Sequence, residues 1–339
     1  MTRDALTALE SMTERQIGRW RDVLDAVAGM LPGGAVRVLV EGCGHADAVA
    51  ARLADRLTAA GRRCVRPRDG GRESEREPDA ITIGAGTGER ARPAGGWDVV
   101  IWLRTRRAPD ADAENGADIV IDLNDTRWPV IRRVGPRLAG HDEWYVAESR
   151  AFFAPRAATW DARFGDDMPA YAAAVGEAAV RPGATVLDAG CGTGRALPAL
   201  RAAAGPTGRV FAVDLTPEML AVARTTGRAH HATLLVADAR RLPFAAARFD
   251  AVFAAGLVQH LPDPATGLAE LARVTRPGGR LIIFHPSGRA ALAARHGRTL
   301  RPDEPLAKTR LEQLLTGAGW RLVHYDDAAH RFLALATRR

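Results

Sequence analysis

The sequence predicts an α/β protein in which a doubly wound sheet of seven strands, ending in an antiparallel hairpin, follows a smaller α/β domain. Three observations lead there. From Val180 onward strand-like and helix-like runs alternate strictly, the pattern of parallel strands joined by crossover helices. The last two strand-like runs, near 320–325 and 331–337, lie too close for a crossover and must pair antiparallel. A second strand, glycine turn and helix begins far upstream at Val36, and 339 residues suffice for two cores.

Composition sets the class. With 47% hydrophobic and 26% charged residues the chain reads as globular, and no run approaches the roughly 18 apolar residues of a membrane span. The N-terminus lacks the apolar core of a signal peptide, so the expectation is a cytoplasmic protein with no membrane partner. Cys43, Cys64 and Cys191 are too few and too scattered for a disulfide framework or a zinc site, so no metal is expected. The net charge of +7 would ordinarily suggest nucleic acid, but Lys308 is the only lysine among 47 basic residues. Arginine, alanine and glycine are abundant together, the mark of a GC-rich coding bias. Basic and acidic residues alternate, as in Arg72-Glu-Ser-Glu-Arg-Glu, and predict a mixed solvated surface rather than a nucleic-acid face.

Along the chain, Leu6, Leu9, Met12, Ile17, Trp20, Val23, Leu24 and Val27 recur at helical spacing and predict one or two amphipathic helices up to Met30. Val36 to Val40 reads as a strand leading into Glu41-Gly-Cys-Gly-His-Ala-Asp and a helix to about Ala60. A strand at Cys64-Val65 and a short one at Ile81–Ile83 interrupt a Gly-, Pro- and charge-rich stretch read as loop from Arg66 to Gly96. Asp98-Val-Val-Ile-Trp-Leu and Ala117-Asp-Ile-Val-Ile-Asp-Leu are continuous apolar runs of buried parallel strands. Residues 1–138 form this domain. Residues 139–180 supply the linker and lid helices, with aromatic residues at helical gaps, among them Tyr145 and Phe153, expected to line a pocket. Residues 181–339 form the second domain, with strands expected at 184–188, 209–213, 232–236, 250–254, 280–285, 320–325 and 331–337.

At the first strand of that second domain, Val186-Leu-Asp-Ala-Gly-Cys-Gly-Thr-Gly-Arg195 carries the strongest signal. An apolar strand ends in Asp188, and glycines at every second position open a helix, where the turn needs φ > 0 and the backbone must lie against a ligand. Asp188 points into the crevice at the carboxyl ends of the strands. Further acids end the next strands: Asp214 in Val210-Phe-Ala-Val-Asp-Leu-Thr-Pro-Glu-Met-Leu, and Asp238 in Ala237-Asp-Ala-Arg-Arg-Leu-Pro-Phe. Phe249-Asp-Ala-Val-Phe-Ala-Ala-Gly-Leu-Val-Gln-His-Leu-Pro-Asp and Arg273-Val-Thr-Arg-Pro-Gly-Gly-Arg-Leu follow. The dinucleotide fingerprint Gly-x-Gly-x-x-Gly is not met, since the glycines are Gly190, Gly192 and Gly194.

In this combination residues 145–339 resemble class I S-adenosylmethionine-dependent methyltransferases, near the small-molecule branch that includes the ubiquinone/menaquinone C-methyltransferases. The resemblance implies a Rossmann-like fold and S-adenosyl-L-methionine as cofactor. It implies that Asp188, Gly190, Gly192, Thr193, Gly194, Asp214, Leu215, Met219, Asp238, Ala239 and Ala255 bind the cofactor. Each assignment has a chemical reason: Asp188 can accept from the ammonium, Asp214 from both ribose hydroxyls, and Asp238 from the adenine amine while the Ala239 amide donates to a ring nitrogen. The expected reaction is transfer of the sulfonium methyl to a small acceptor, in specialised metabolism. Where the acceptor must lose a proton, the candidate bases are His285, which ends the fifth strand, and His260 after the fourth, with His296 beyond. Arg289, Arg150 or Arg195 could bind an acidic substrate. Cys191 reads as a small filler. An RNA or tRNA methyltransferase is the alternative; it would want an Asn/Asp-Pro-Pro-Tyr-type motif where the chain has Ala254-Ala-Gly-Leu. A non-methylating cofactor-binding protein on the same fold is the third reading.

Residues 35–135 resemble, in reduced form, the uridine kinase-like branch of P-loop nucleotide kinases, on the glycine turn at Glu41, on Trp97-Asp-Val-Val-Ile-Trp-Leu-Arg and on Ala117-Asp-Ile-Val-Ile-Asp-Leu-Asn-Asp with Trp128-Pro-Val-Ile. A working phosphate loop needs Gly-Lys-Ser/Thr, but here the positions fall around Ala46 and Asp47 and the domain has no lysine. A degenerate domain is expected, kept for homodimer formation or for shaping the neighbouring site.

Overall fold

The computed structural model describes residues 12–67, 79–86, 96–105, 116–139, 143–295 and 299–339, and the chain divides into two compact units, Met1–Glu148 and Ser149–Arg339. That division lies ten residues beyond the expected boundary at 138, inside helix α3 (Glu143–Phe153). Leu6, Leu9 and His296 fall outside the described residues. No helix among the described residues is long and apolar enough to cross a membrane.

In the first unit, α1 (Glu14–Met30) starts at a capping box: the Gln16 amide donates to Thr13 Oγ1 and the Thr13 amide to Gln16 Oε1, satisfying two N-terminal donors. One stripe, Trp20, Val23, Leu24 and Val27, is buried. Among the described residues the sheet runs β2 (Cys64–Val65), β3 (Ile81–Ala85), β1 (Val36–Glu41), β4 (Val99–Arg104), β5 (Ile119–Asp122) and β6 (Val130–Val134), the first five parallel and β6 antiparallel to β5. Helix α2 (Ala46–Ala59) follows β1 and buries Val49, Ala50, Leu53 and Leu57.

Two elements differ from expectation. Ile81–Ala85 is a buried interior strand pairing with both β2 and β1; its Gly84 admits the Trp97 ring, which a Cβ there would meet at 2.5 Å. β6 was not expected as a strand, because Pro129 precedes it and Arg132 and Arg133 interrupt its apolar residues. The buried residues are Val130, Ile131 and Val134, and Arg133 Nη2 donates to the Ala117 carbonyl. Arg19 and Glu148 form a buried ion pair behind this strand, with Glu148 Oε2 accepting from the Ile131 amide at 2.6 Å and Arg19 Nε donating to the Pro129 carbonyl.

The second unit begins with the end of α3, a 3-10 turn (Ala154–Thr159), α4 (Trp160–Phe164) and α5 (Met168–Glu177). Its sheet is ordered β12 (Trp320–Ala328), β13 (Arg331–Arg338), β11 (Thr275–His285), β10 (Phe249–Ala255), β7 (Thr185–Ala189), β8 (Arg209–Asp214) and β9 (Thr233–Val236). β13 runs against both β11 and β12, so the last strand inserts inside the edge and β12 becomes the border. Helices cover both faces. On one, Leu197 and Leu200 of α6 (Leu197–Ala204) and Leu220 of α7 (Pro217–Thr225) pack on Val186, Phe253 and Phe284. On the other, α8 (Pro264–Val274) and α10 (Lys308–Gly317) pack on Phe249, Ile283 and Trp320. Trp320 is fully buried and spends its indole N–H on the Leu268 carbonyl at 3.0 Å. Helix α9 (Arg289–Arg295) follows β11. The carboxyl ends of β7, β8, β10 and β11 thus meet at one edge, with α3 to α5 preceding them in the chain.

Candidate active site

Asp188 sits at the end of β7, in register with Phe253 on β10 and Ala212 on β8, and is 1% exposed. Among the described residues neither carboxylate oxygen has a hydrogen-bond partner. Burial, with the charge of Asp214 second, pushes its pKa up to about 8. A buried acceptor pair left unsatisfied is costly in a folded protein and marks a place where a donor arrives from outside.

The glycine turn is held against β8. The amides of Gly190 and Cys191 both donate to the Val213 carbonyl at 2.9 Å, and the Gly192 amide donates to Asp214 Oδ2 at 2.8 Å. Gly190 has φ +71, and a Cβ there would press Leu257 Cδ1 at 3.2 Å. Gly194, at φ +80, admits Leu197 of α6, which a Cβ would meet at 2.9 Å. Asp214 Oδ1 accepts from the Thr216 amide at 2.8 Å; burial raises its pKa while these two amides hold it down. Thr193, 1% exposed, donates its hydroxyl to Asp161 Oδ1 at 2.7 Å. The Leu215 carbonyl accepts from Arg150 Nε at 2.9 Å, and Met219 is buried on α7. Ala239 is buried just past β9, and Ala255 ends β10 half-buried. Arg240 grips the Asp238 carboxylate through Nε and Nη2, so a bond from Asp238 to an adenine amine has to share it.

These residues fit S-adenosylmethionine. Asp188 supplies the missing acceptor for its ammonium, the three glycines keep the turn free of side chains, and Asp214 retains lone pairs for ribose hydroxyls.

On the acceptor side the structure joins two of the expected residues: the Phe153 ring meets His260 edge-on at 5.4 Å and Trp160 at 5.6 Å. His260 lies in a 3-10 turn (Val258–His260) just after β10. His285 ends β11 half-buried, its Nδ1 2.9 Å from the Ser287 carbonyl and 3.1 Å from the Ser287 amide, so the backbone can hold either tautomer. Tyr145 lies in the first unit, where it is 8% exposed and packs edge-on to Trp144.

The three arginines expected for an acidic substrate are engaged within the fold. Arg289 pairs with Glu304 at 3.0 Å and Asp327 at 3.5 Å, Arg150 with the Leu215 carbonyl, and Arg195 with Asp167 at 2.6 Å. Sequence reasoning missed Asp161, Asp167, Tyr171 and Arg228. Arg228 bridges Asp161 and the Thr193 carbonyl, tying α4 to the glycine turn. Tyr171 on α5 packs edge-on to Phe284 at 4.9 Å, and its hydroxyl pKa is raised by burial and then by Asp167.

Residues 187–283 match the family model described as a methyltransferase domain. The chain is 34% identical over 166 residues to a ubiquinone/menaquinone biosynthesis C-methyltransferase of Bordetella parapertussis, covering 48% of this chain and 60% of that relative. It is 39% identical over 112 residues to the corresponding enzyme of Burkholderia mallei, covering 32% of this chain and 46% of that one. The chain thus spans less than two thirds of the length of the curated relatives it matches. Among solved structures it resembles a methyltransferase from Aquifex aeolicus (24% identity, TM-score 0.45, 53% of this chain and 98% of that one). Another is a magnesium protoporphyrin IX methyltransferase from Synechocystis (17% identity, TM-score 0.45, 57% and 100%). Cleft chemistry and family match agree: the second unit carries a class I S-adenosylmethionine-dependent methyltransferase domain, and S-adenosylmethionine is its cofactor.

Proposed function

We propose that the chain transfers a methyl group to a small-molecule acceptor with a planar, aromatic or quinone-like face. The observation that carries the reading is Asp188, a buried carboxylate at the glycine turn whose two oxygens have no hydrogen-bond partner among the described residues. The choice of acceptor is supported by the Phe153, Trp160 and His260 rings and by the ubiquinone/menaquinone C-methyltransferases among the relatives.

S-adenosylmethionine, when bound, supplies a methyl group already activated on a sulfonium. The protein then has to orient, exclude water and manage one proton. Asp188 and Asp214 fix the two ends of the methionine-ribose portion. Phe153 and Trp160 exclude water and offer a flat wall to the acceptor. His285, with Nδ1 anchored on Ser287, takes the proton that a phenol or an activated ring carbon releases. His260 packs on Phe153 and orients that wall. A carbon or oxygen acceptor is compatible with this arrangement.

Incubating the chain with isotopically labelled S-adenosylmethionine and either a metabolite extract or total RNA tests the proposal. Label in a small product is expected; label only in RNA supports the alternative reading, and no transfer supports the non-methylating one. His285→Ala is expected to lower turnover by about 10²-fold or more while leaving cofactor affinity unchanged; full turnover removes His285 from the mechanism.

For the first unit we infer a degenerate P-loop-like domain that phosphorylates nothing and serves as a cytoplasmic homodimerisation or interaction module. Support comes from the glycine turn between β1 and α2, from the parallel order of β2, β3, β1, β4 and β5, and from Asp47, which pairs with Arg66 where a phosphate loop carries a cation. ATP turnover by the chain would overturn this reading, and sedimentation of a monomer would overturn the dimer.

A further inference from the structure

Two acids stand side by side at the ends of β8 and β9, and they differ in how much of their acceptor capacity the protein has already taken. Asp214 pairs in register with Val236, and the Ala237 amide donates to the Asp214 carbonyl at 3.1 Å, so Asp238 follows at the same edge of the sheet. Asp214 accepts one backbone amide on each carboxylate oxygen. Asp238 Oδ1 accepts from the Arg240 amide at 2.9 Å and from Arg240 Nε at 3.1 Å; Oδ2 accepts from Nε at 3.1 Å and from Nη2 at 2.8 Å. An ionised carboxylate has about four lone-pair sites, so that of Asp238 is full.

The chain builds this clamp locally. The Arg241 amide donates to the Asp238 carbonyl at 3.0 Å and closes a turn, and in such turns the aspartate side chain also takes the amide two residues on. The Arg240 side chain folds back over that turn, where it is 8% exposed against 17% for Asp238. To serve a neutral amine, Asp238 would have to release a charge-assisted fork in a place with little water to replace it. Such a contact is roughly twice as strong as a bond from a neutral donor, so the fork wins the exchange. The Ala239 amide takes no part in the clamp.

We propose that this chain does not read the exocyclic amine of the cofactor's adenine, because Arg240 saturates the acid that would receive it. Recognition of the base falls to a ring nitrogen at the Ala239 amide and to the shape of the purine. Arg240 is thereby the residue that sets base selectivity, and cofactor forms altered at the purine C6 position are accepted. This rests on the cofactor lying with its adenine at Asp238.

The test is calorimetric binding to the full chain of S-adenosylhomocysteine, its 6-deamino analogue, which loses only the amine, and its 1-deaza analogue, which loses only the ring nitrogen. The wild type is expected to prefer S-adenosylhomocysteine over the 6-deamino analogue by about threefold or less, and over the 1-deaza analogue by about tenfold or more. In Arg240→Met, which keeps the stem and removes the fork, the carboxylate opens to the amine and preference over the 6-deamino analogue is expected to rise to about twentyfold or more. Arg240→Lys, with a point donor in place of the fork, is expected to fall between the two. A wild type that prefers the amine by about twentyfold overturns the proposal whether or not either variant folds, as does a folded Arg240→Met with unchanged preference. A wild type indifferent to the ring nitrogen would put the adenine elsewhere and overturn the proposal with its premise. Failure to bind any of the three ligands would overturn the methyltransferase reading itself.

Discussion

Among the described residues two glycine-containing turns each join a parallel strand to a helix, after β1 and after β7, and they differ in what their polar groups meet. After β1, Gly42 has φ +114, and a Cβ would lie 2.5 Å from the Leu103 carbonyl oxygen of the neighbouring strand. That glycine is required by β4 itself. The acid at the helix start, Asp47, is satisfied on the surface by Arg66. After β7, Gly190 and Gly194 also pack closely on the protein, but a Cβ at Gly192 would meet nothing within 4 Å, and Asp188 stays buried without a hydrogen-bond partner among the described residues. A turn that closes its polar groups on the protein keeps none for a ligand, whereas one that leaves a buried acid open does so at a cost in stability.

The largest expected effect comes from closing the second turn. Asp188→Asn is expected to weaken cofactor binding by about a hundredfold, ~3 kcal/mol, since the ammonium loses its carboxylate. The same change is expected to stabilise the empty protein at neutral pH by about 1 kcal/mol or more, because the folded chain no longer has to hold a proton on a buried carboxyl that the unfolded chain would release. Calorimetry and thermal melts of the same samples would show the two moving in opposite directions. Next is Gly42→Ala, expected to cost about 2 kcal/mol of stability while cofactor affinity stays within about twofold. Loss of cofactor binding in that variant would break the contrast between the turns.

Binding should also depend on pH. The cofactor needs Asp188 ionised, and its pKa in the empty protein is about 8, so affinity is expected to rise about tenfold per pH unit up to pH 8 and then level off. Stability of the empty protein runs the other way. The folded chain keeps a proton on Asp188 that the unfolded chain releases near the ordinary 3.8, so stability contributed by this group falls as pH rises from about 4 to 8. Chemical denaturation at pH 5 and pH 8, with and without Asp188→Asn, would read this. A smaller effect, about 1–2 kcal/mol, is expected for Gly190→Ala, split between stability and affinity because φ +71 disfavours a side chain there. Smallest is Asp47→Ala, within about 0.5 kcal/mol by denaturant titration, since the Arg66 pair leaves the Asp47 side chain 73% exposed.

The parts legible in the sequence were those written locally. Strand β7, its glycines and the acids Asp188 and Asp214 lie within single strand–turn units, and the short gap before β13 dictates an antiparallel partner. β6 was hidden because Arg132 and Arg133 alternate poorly with its apolar residues, although the antiparallel pairing to β5 tolerates them. The insertion of β13 between β11 and β12 depends on which edge is free, and no local pattern records that. The ion pairs on Asp161 and Asp167 reach across the chain, as in Arg228 to Asp161 at a separation of 67 residues, and two acids in a polar stretch carry no mark of their distant partners. The partners of Arg289 are hidden for the same reason: Glu304 and Asp327 come from the loop after α9 and from β12.

The central claim, that the turn after β7 is an open cofactor site organised by Asp188, is tested most directly by titrating the full chain with S-adenosylmethionine at pH 6.5 in two buffers of different ionisation enthalpy. One cofactor per chain and release of close to one proton are expected, with the proton absent in Asp188→Asn. No binding, or binding that releases no proton and is indifferent to Asp188→Asn, would contradict it.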